Sequence, residues 1–508
     1  MKILDCTLRD GGYYTDWYFS EELLNQYLTT ISKLPISIVE LGYLSNANDL
    51  NGPLYHLNRA ILDYSKSLLR KNQEIYVMVN LKEFNNVNEL IKIIDCNKEY
   101  LNGIRFAVSP FEIKNHLKKI NIVKKKFKKI TICINLMYLS KWYDNKKFLN
   151  NVINILSNNS DVISLVDSYG AMLPKDVEIC MNNIENKHIN LGCHFHNNCG
   201  LALANTLVAV DLGCKIADST FKGMGRGAGN ASTELLIALK KKTSGNITSF
   251  DINNLIEKFD ILKNNLKWGE SYAYAFAAKN GFSQAAMMDL IQKKRLDASI
   301  AIKAIVSNEL NTKKIIFQNI KNIKRKIYIK KKIPILIGGA TSLVDYGKIF
   351  FKNINKNTSI ILSGSNAFFH FIKLNLKIKN HLILILSGSE IKKIKFFNKI
   401  NYLSKIGIKT IIVEKNFQPK KINFKGNIII ADSTAANPLL LTGLFLKKIK
   451  IQKLNLAFFD GNKNDEKSRV VMSETVDSLK ILQHQKLDIN TLTKSYLPIK
   501  QINPWIND

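Results

Sequence analysis

The sequence has no apolar run approaching the roughly 18 residues that a membrane-spanning helix needs. Its first residues, MKILDCTLRDGG, lack the apolar core of a secretory signal. These two absences predict a cytoplasmic protein without a membrane span. The seven cysteines are dispersed without a CxxC pair, and all of them lie in the first half of the chain. That pattern is typical of reduced thiols, most of them small buried side chains, and argues against a disulfide framework.

Acidic residues are scarce: 41 Asp and Glu oppose 74 Lys and Arg, which gives a net charge of +33 over 508 residues. Such an excess suits nucleic acid, a membrane surface or phosphorylated substrates. The lysines, however, accompany a surplus of Asn and Ile across the second half, as an AT-rich genome produces. No aromatic–basic motif or recognition helix accompanies them. The charge therefore predicts a solvated basic face and no specific nucleic-acid partner.

The first part of the chain repeats one unit, an apolar run that ends in polar residues and is followed by a stretch of helical period. The runs predicted as strands are Lys2–Leu8, Ser37–Tyr43, Glu74–Asn80, Gly103–Val108, Ile130–Leu136, Asp161–Asp167, Asn190–His196 and Lys215–Thr220. Intervening helical stretches such as Ser20–Lys33, Val87–Asp95 and Leu201–Leu212 imply parallel pairing through right-handed crossovers. Eight such units predict a (β/α)₈ TIM barrel over residues 1–245.

Two further segments follow the predicted barrel. Residues 246–320 have a helical pattern, including Asn254–Asn265 and Tyr272–Ala278, expected to cap the barrel or to form a homo-oligomer contact. After a basic connector, residues 333–508 again alternate apolar runs with helical stretches. This pattern predicts a Rossmann-like doubly wound sheet. The runs predicted as its strands are Pro334–Ile337, Ser359–Leu362, Leu382–Leu386, Thr410–Val413, Asn427–Ile430 and Leu454–Phe459. The turn at Gly338–Ala340 is either a phosphate cradle or a tight structural turn.

The strongest chemical signal is the pair His194 and His196, which uses two of only eight histidines. Alternate residues of a strand face the same side, so both imidazoles can reach one ion. Asp10 follows the first predicted strand, and active sites of this fold lie at the carboxyl ends of the strands. Two imidazoles and one carboxylate leave open positions on a divalent ion, as a catalytic metal requires. Manganese is the preferred assignment, and magnesium, cobalt or zinc tolerate the same ligands.

Three ordered motifs resemble the DRE-TIM metallolyase superfamily, which includes 4-hydroxy-2-oxovalerate aldolases, 3-hydroxy-3-methylglutaryl-CoA lyase and isopropylmalate synthases. They are LDCTLRDGG at Leu4–Gly12, VDSYGAMLP at Val166–Pro174, and the segment Gly192–Asn230. The last segment ends in GMGRGAGN, similar to the GxGxGAGN of the aldolases. The resemblance covers roughly residues 1–240. Residues 333–508 faintly resemble Rossmann-like domains found beside carbohydrate-modifying enzymes, on Ile335–Ser342 and Ala457–Gly461.

The resemblance implies a role for each matching position. The implied metal ligands are Asp10, His194, His196 and, from the lyase branch, Asn230. Arg9 matches the arginine that stabilises an enolate, and Ser168 lies where the aldolases contact the substrate carboxylate. Two simpler interpretations stand beside these: Arg9 pairs with a carboxylate such as Glu40, and Ser168 caps the next helix.

One position departs from the aldolase pattern. The aldolases place a histidine base shortly after their RDG, where this chain has Tyr13. A tyrosine has a reference pKa of about 10 and is a poor base at neutral pH. Tyr13 therefore acts as an acid, acts through water, or only shapes the pocket.

The sequence predicts a divalent-metal-dependent aldolase that acts on a 4-hydroxy-2-oxo acid through a pyruvate-type enolate. The alternative within the superfamily is a Claisen-type synthase or lyase that uses an acyl-CoA. A different class is a non-catalytic binding protein with a degenerate barrel. For residues 333–508, we predict a nucleotide or sugar phosphate ligand and a setting in bacterial surface-polysaccharide synthesis.

Overall fold

A computed structural model describes residues 1–47, 51–186, 188–239, 249–293, 298–306, 316–318, 332–387, 403, 406–414, 424, 426–432, 437–460 and 466–502. The chain forms two compact units, Met1–Met288 and Asp289–Asp508. The predicted basic connector and the lysine cluster at 240–242 lie outside the described residues, apart from Lys332.

The first unit is a closed barrel of eight parallel strands, each paired with its neighbours in chain order. The strands are β1 Lys2–Asp5, β2 Ile38–Tyr43, β3 Glu74–Val79, β4 Gly103–Val108, β5 Thr131–Leu136, β6 Val162–Asp167, β7 Leu191–Phe195 and β8 Ile216–Ser219. The barrel closes where Lys2 pairs with Ile216. The predicted TIM barrel is thus confirmed, and seven strands match their predicted bounds to within one residue at either end.

The first strand is shorter than predicted, because residues from Thr7 onward are helical. The Asp5 carboxylate accepts the Thr7 amide at 2.9 Å and so satisfies a backbone donor where the helix begins. The helix ends at Asp16, which has φ 49°. Arg9 and Asp10 therefore lie on a buried helical turn above the barrel.

Helices follow the strands around the barrel and continue beyond it. They are α1 Thr7–Thr15, α2 Glu21–Lys33, α3 Arg59–Leu68, α4 Val87–Asn97, α5 Ile113–Lys126, α6 Lys146–Ser157, α7 Pro174–Asn183, α8 Ala202–Asp211, α9 Thr233–Leu239, α10 Ser249–Leu266, α11 Tyr272–Lys279 and α12 Gln284–Met288. Helices α10 and α11 contain the two predicted in the extension. None of the helices in the described residues combines the length and hydropathy that a bilayer span requires.

The lower layer of the barrel interior is apolar. It contains Leu4, Cys6, Ile38, Tyr76, Cys133, Val162 and Ile216. Five of the seven cysteines are buried, and all seven are free thiols. The prediction that most of them serve as small buried side chains is confirmed.

The second unit is built on a nine-stranded sheet in the order β17-β16-β15-β10-β11-β12-β13-β14-β9. Its strands are β9 Ile316–Gln318, β10 Ile335–Ile337, β11 Ile360–Ser363, β12 Leu382–Leu386, β13 Ile408–Glu414, β14 Asn427–Asp432, β15 Lys453–Ala457, β16 Asp488–Thr491 and β17 Lys500–Gln501. Its described helices are α13 Ala298–Val306, α14 Ser342–Asn353, α15 Gly364–Lys373, α16 Pro438–Lys448 and α17 Glu466–His484. The six predicted strands are all present.

The sheet of the second unit is mixed, because β9 pairs with β14 in the antiparallel sense. Strand β9 lies in a segment predicted as helical, so that prediction is wrong at residues 316–318. Strands β16 and β17 were not predicted either, since both are short and partly polar. The direction of winding reverses between β10 and β15, which pair directly.

The turn after β10 is explained by packing within this unit. A Cβ at Gly338 would lie 2.1 Å from the Phe458 carbonyl oxygen, and one at Gly339 would lie 2.7 Å from Cβ of Asn366. Close approach of two neighbouring segments therefore requires both glycines. Of the two interpretations of this turn, the tight structural turn explains both glycines, and no bound phosphate is needed.

Candidate metal centre

Three predicted ligands converge at the carboxyl end of the barrel. Asp10 comes from α1, His194 lies in β7, and His196 follows β7 directly. One candidate ligand atom from each of the three lies within 4.8 Å of the others. The three residues are buried, with relative exposures of 1%, 2% and 5%. Side chains from two distant segments of the sequence thus face one small volume.

Both imidazoles are oriented with one nitrogen toward that volume. Nδ1 of His194 lies 3.0 Å from Oδ2 of Asp218, and its Nε2 lies 3.7 Å from Oδ2 of Asp10. Nδ1 of His196 lies 3.3 Å from the Gly229 carbonyl oxygen. A carbonyl only accepts, so this Nδ1 carries the hydrogen and leaves the Nε2 lone pair free. Burial holds the pKa of His196 well below its usual 6.5 and keeps the ring neutral, as a metal ligand must be.

Asp10 is held as an anion. Burial opposes its ionisation, but the neighbouring Arg9 guanidinium holds its pKa well below the usual range. Arg9 donates to one carboxylate oxygen of Asp10, and the Asn230 side-chain amide donates to the other. The carboxylate therefore has a fixed orientation toward the histidines.

Asn230 has a further oxygen to offer. Among the described residues, its buried Oδ1 has no hydrogen-bond partner. An amide oxygen beside a carboxylate is a suitable additional ligand for a hard divalent cation. Gly225 makes room for this arrangement, since a Cβ there would lie 2.4 Å from Nδ2 of Asn230. Gly229, with φ 92°, takes a backbone conformation that favours glycine.

The enolate-stabilising candidate, Arg9, is 5% exposed and lies between two carboxylates. Its Nε donates to Oε2 of Glu40 at 2.8 Å, and its Nη1 donates to Asp10. The simpler interpretation, a pair with Glu40, is therefore also present. The two contacts leave Nη2 of the guanidinium outside these bonds, so a fixed donor remains beside the cluster.

Two charged residues of the cluster were not predicted, Arg105 in β4 and Asp218 in β8. Arg105 donates from Nη1 to Glu40 at 3.2 Å and from Nη2 to Asp218 at 2.5 Å. An arginine inside the apolar run GIRFAV was the available signal for it. The charged cluster thus has two guanidiniums and three carboxylates, all of them buried: Arg9, Asp10, Glu40, Arg105 and Asp218. The net charge of −1 favours capture of a cation in this low-dielectric interior.

Tyr13 and Ser168 lie at the same end of the barrel with different environments. The Tyr13 hydroxyl is 3.4 Å from that of Tyr43, and its ring is 5.4 Å from Cζ of Arg226. Oγ of Ser168 accepts the Tyr138 amide at 3.0 Å. Helix α7 begins after Leu173, and no described contact links it to Ser168, so the bond to Tyr138 replaces the cap proposed as its simpler role.

A second possible ligand set, Cys6, His194 and Asp218, shares one histidine with the first. Its atoms are already engaged: the Cys6 thiol donates to the Ser219 carbonyl, and Asp218 accepts from Arg105. Burial also raises the pKa of the Cys6 thiol well above its ordinary value. The set that includes Asp10 is therefore the better metal site.

A cavity of about 240 Å³ lies beside the segments that follow β5 and β6. Lys141 and Lys279 line it, and Nζ of Lys141 lies 4.6 Å from the centroid of the Tyr169 ring. Asp176, which also lines it, accepts a hydrogen bond from Tyr143 at 2.9 Å. The two ammonium groups give the cavity an excess of positive charge.

Comparison with known proteins places these residues in a family context. A family model described as HMGL-like matches residues 89–260, which include both histidines and Asn230. A 4-hydroxy-2-oxovalerate aldolase from Pelotomaculum thermopropionicum is 27% identical over 268 residues, covering 52% of this chain and 76% of that protein. An oxaloacetate decarboxylase from Mycobacterium tuberculosis is 24% identical over 263 residues, covering 50% and 74%.

A solved structure matches over a similar share. The N-terminal domain of a candidate aldolase from Bacteroides vulgatus has a TM-score of 0.53 and 31% sequence identity. The match covers 57% of this chain and 96% of that one. The two curated relatives and the solved structure match between 50% and 57% of the present chain.

Proposed function

Because the chain belongs to the HMGL-like family of the DRE-TIM metallolyase superfamily, we propose that its barrel is a divalent-metal-dependent aldolase for a 4-hydroxy-2-oxo acid. The reaction proceeds through a pyruvate-type enolate. The observation that carries the proposal is the convergence of Asp10, His194 and His196 within 4.8 Å, with Nε2 of His196 free to bind.

The donor set fits a divalent cation. It offers nitrogen from two imidazoles, an ionised carboxylate and Oδ1 of Asn230, which has no hydrogen-bond partner in the part of the chain that the structure describes. When bound, the cation supplies Lewis acidity to the substrate carbonyl. The mixed nitrogen and oxygen ligands suit manganese, our preferred metal, and also fit cobalt, zinc or magnesium.

Arg9 stabilises the charge that develops on the substrate oxygen. Its guanidinium is fixed by Glu40 before substrate binds, so little reorganisation is needed during the reaction. Ser168, with its oxygen already accepting from Tyr138, has its hydroxyl hydrogen to donate to the substrate carboxylate. The cluster charge of −1 becomes +1 with a divalent cation, which favours a monoanionic 2-oxo acid.

Tyr13 handles the proton of the 4-hydroxyl group, in place of the histidine of the aldolases. Its hydroxyl lies 3.4 Å from that of Tyr43, near the upper limit of a hydrogen bond, so either phenol can donate weakly to the other. The hydroxyl oxygen of Tyr13 accepts the 4-hydroxyl proton while its own hydrogen passes to one water, so the phenol stays neutral as the carbon–carbon bond breaks.

Substituting Tyr13→Phe is expected to lower kcat by about 100-fold, the lower end of general acid–base contributions. Metal affinity should stay unchanged, because no ligand is altered. Tyr43→Phe is the matched control, and it should lower kcat less. Equal activity of Tyr13→Phe and the wild type would remove Tyr13 from the proton path.

The proposed function is tested by pyruvate release from 4-hydroxy-2-oxo acids of varied chain length. Activity should disappear with a chelator and return with Mn²⁺. Oxaloacetate belongs in the same panel, since one relative is named for its decarboxylation. Metal-dependent release of free coenzyme A from acyl-CoA substrates, with no turnover of 2-oxo acids, would favour the Claisen-type alternative. Absence of turnover with every substrate would favour a binding protein.

For the second unit, we propose only where a ligand would bind. Open sheets bind ligands where the winding reverses, here between β10 and β15. The Rossmann-like assignment, a nucleotide or sugar phosphate partner, a surface-polysaccharide setting and a homo-oligomer all stay predictions. Calorimetric titration of the full chain with nucleotide sugars tests the partner, and uniform failure to bind would leave a scaffold role.

A further inference from the structure

Arg105 lies at the centre of the barrel and is fully buried, with 0% exposure. Its side chain spans the interior from β4 and contacts residues of four other strands. Besides Glu40 and Asp218, it donates from Nε to Oδ1 of Asn135 at 2.9 Å and from Nη2 to Oγ of Ser164 at 3.4 Å. A planar guanidinium with all these partners has one orientation.

The two carboxylates that Arg105 holds are themselves bound to the proposed site. Oε2 of Glu40 accepts from both Arg105 and Arg9, at 3.2 and 2.8 Å. Oδ2 of Asp218 lies 2.5 Å from Nη2 of Arg105 and 3.0 Å from Nδ1 of His194. In each case one oxygen is shared between the central arginine and a residue of the site. A continuous series of hydrogen bonds thus connects Arg9 to His194.

We infer that Arg105 is a positioning residue that fixes the enolate-stabilising guanidinium of Arg9 and the imidazole of His194 through Glu40 and Asp218. The inference rests on the proposed function for the roles of Arg9 and His194. Arg105 itself does not contact substrate or metal. Its contact with Asp218 fixes the orientation of the His194 ring. Its contact with Glu40 fixes the orientation of the Arg9 side chain.

The planar guanidinium is essential for this role, because its N–H donors have fixed directions that a point charge cannot reproduce. Lysine at position 105 keeps the positive charge but cannot donate to two carboxylates and Asn135 along fixed directions. Loss of residues that orient metal-bound histidines typically costs about 10- to 100-fold in metal affinity or activity. We expect Arg105→Lys to weaken Co²⁺ binding and to lower kcat, each within that range, with little change in KM.

The experiment measures Co²⁺ affinity from the visible absorption of the bound ion, and kcat and KM with the best 2-oxo acid found. The contacts of Arg105 with Asp218 and with Glu40 are then tested separately, each in a double-mutant cycle. In the Asp218→Asn background, Arg105→Lys should cause no further loss of Co²⁺ affinity. In the Glu40→Gln background, it should cause no further loss of kcat. Additive losses in both backgrounds would overturn the inference.

Controls separate positioning from a general loss of stability. Asn150→Ala removes part-buried hydrogen bonds that join α6 to Asn183 at the end of α7 and to Glu185 beyond it, so it should lower Tm without changing Co²⁺ affinity or kcat. If Arg105→Lys keeps wild-type Co²⁺ affinity and kcat, or if Asn150→Ala reproduces its losses, Arg105 is only structural. Should Arg105→Lys fail to fold, the Glu40→Gln/Arg105→Met double variant removes opposite buried charges together, and its Co²⁺ affinity should still fall because Asp218 has lost its guanidinium partner.

The metal readout keeps this inference distinct from the proposed reaction. If no 2-oxo acid is turned over but Co²⁺ affinity falls in Arg105→Lys and not in Asn150→Ala, the aldolase assignment fails and the positioning of His194 stands. If turnover is found and Co²⁺ affinity is unaffected by Arg105→Lys, the aldolase assignment stands and the positioning of His194 is wrong.

Discussion

Replacing His196 with glutamine is expected to lower affinity for a divalent metal by more than about 100-fold, above the cost of losing an orienting neighbour. The substitution removes the neutral Nε2 lone pair and the bond from Nδ1 to the Gly229 carbonyl, 3.3 Å long. Pyruvate release should fall in parallel at any metal concentration below saturation. Mn²⁺ binding followed by electron paramagnetic resonance measures the affinity directly.

Thermal unfolding provides an independent readout of the same change. A metal at 100 times its Kd stabilises the folded state by about 2.7 kcal/mol, so Tm of the wild type should rise with Mn²⁺. The His196→Gln variant should show no such rise. His116→Gln is the matched control, because His116 is also buried, at 9% exposure, but lies in α5. A normal metal-induced rise in His196→Gln would show that these residues do not form the metal site.

The barrel was predictable because its signals are local. Each strand is an apolar run of four to six residues bounded by polar ones, and the order of eight such runs leaves few topologies. The error at the first strand also has a local cause. LDCTL is apolar enough to continue a strand, but the Asp5 carboxylate and the buried packing of Thr7–Thr15 favour a helix.

The site was only half predictable, because part of it depends on contacts across the barrel. Asp10, His194 and His196 belong to recognisable motifs, but the contacts of Arg105 with Glu40 and Asp218 join residues 65 and 113 positions apart. No local pattern pairs them. A charged residue inside an apolar strand does indicate an interior partner, since an unpaired buried guanidinium is very costly.

The edges of the second sheet escaped prediction for a related reason. Strand β9 has three residues and β17 has two, so neither is long enough to show a repeated alternation of apolar and polar residues. Strand β16, DINT, alternates exposed and buried positions but is polar at three of four. Pairing with a neighbouring strand, and not local preference, makes these segments extended.

Replacing Arg9 with methionine is expected to separate metal binding from chemistry. Removing an oxyanion-stabilising donor typically costs about 10²- to 10³-fold in kcat, and we expect a loss of that size here. Metal affinity should stay the same or rise, because Arg9 places a positive charge beside Asp10, and Asn230 still orients that carboxylate after the substitution. The two quantities should therefore move independently or in opposite directions.

Arg9→Lys distinguishes the effect of charge from that of donor direction. It keeps the positive charge but loses the two directed N–H donors that join Glu40 to Asp10. If charge alone stabilises the enolate, the lysine variant should recover most of the lost kcat. If direction matters, as the buried position between two carboxylates implies, it should recover little. A parallel fall of Mn²⁺ affinity and kcat in both variants would instead mean that Arg9 only supports Asp10. Arg9 would then be part of the metal site and would make no separate contribution to the reaction.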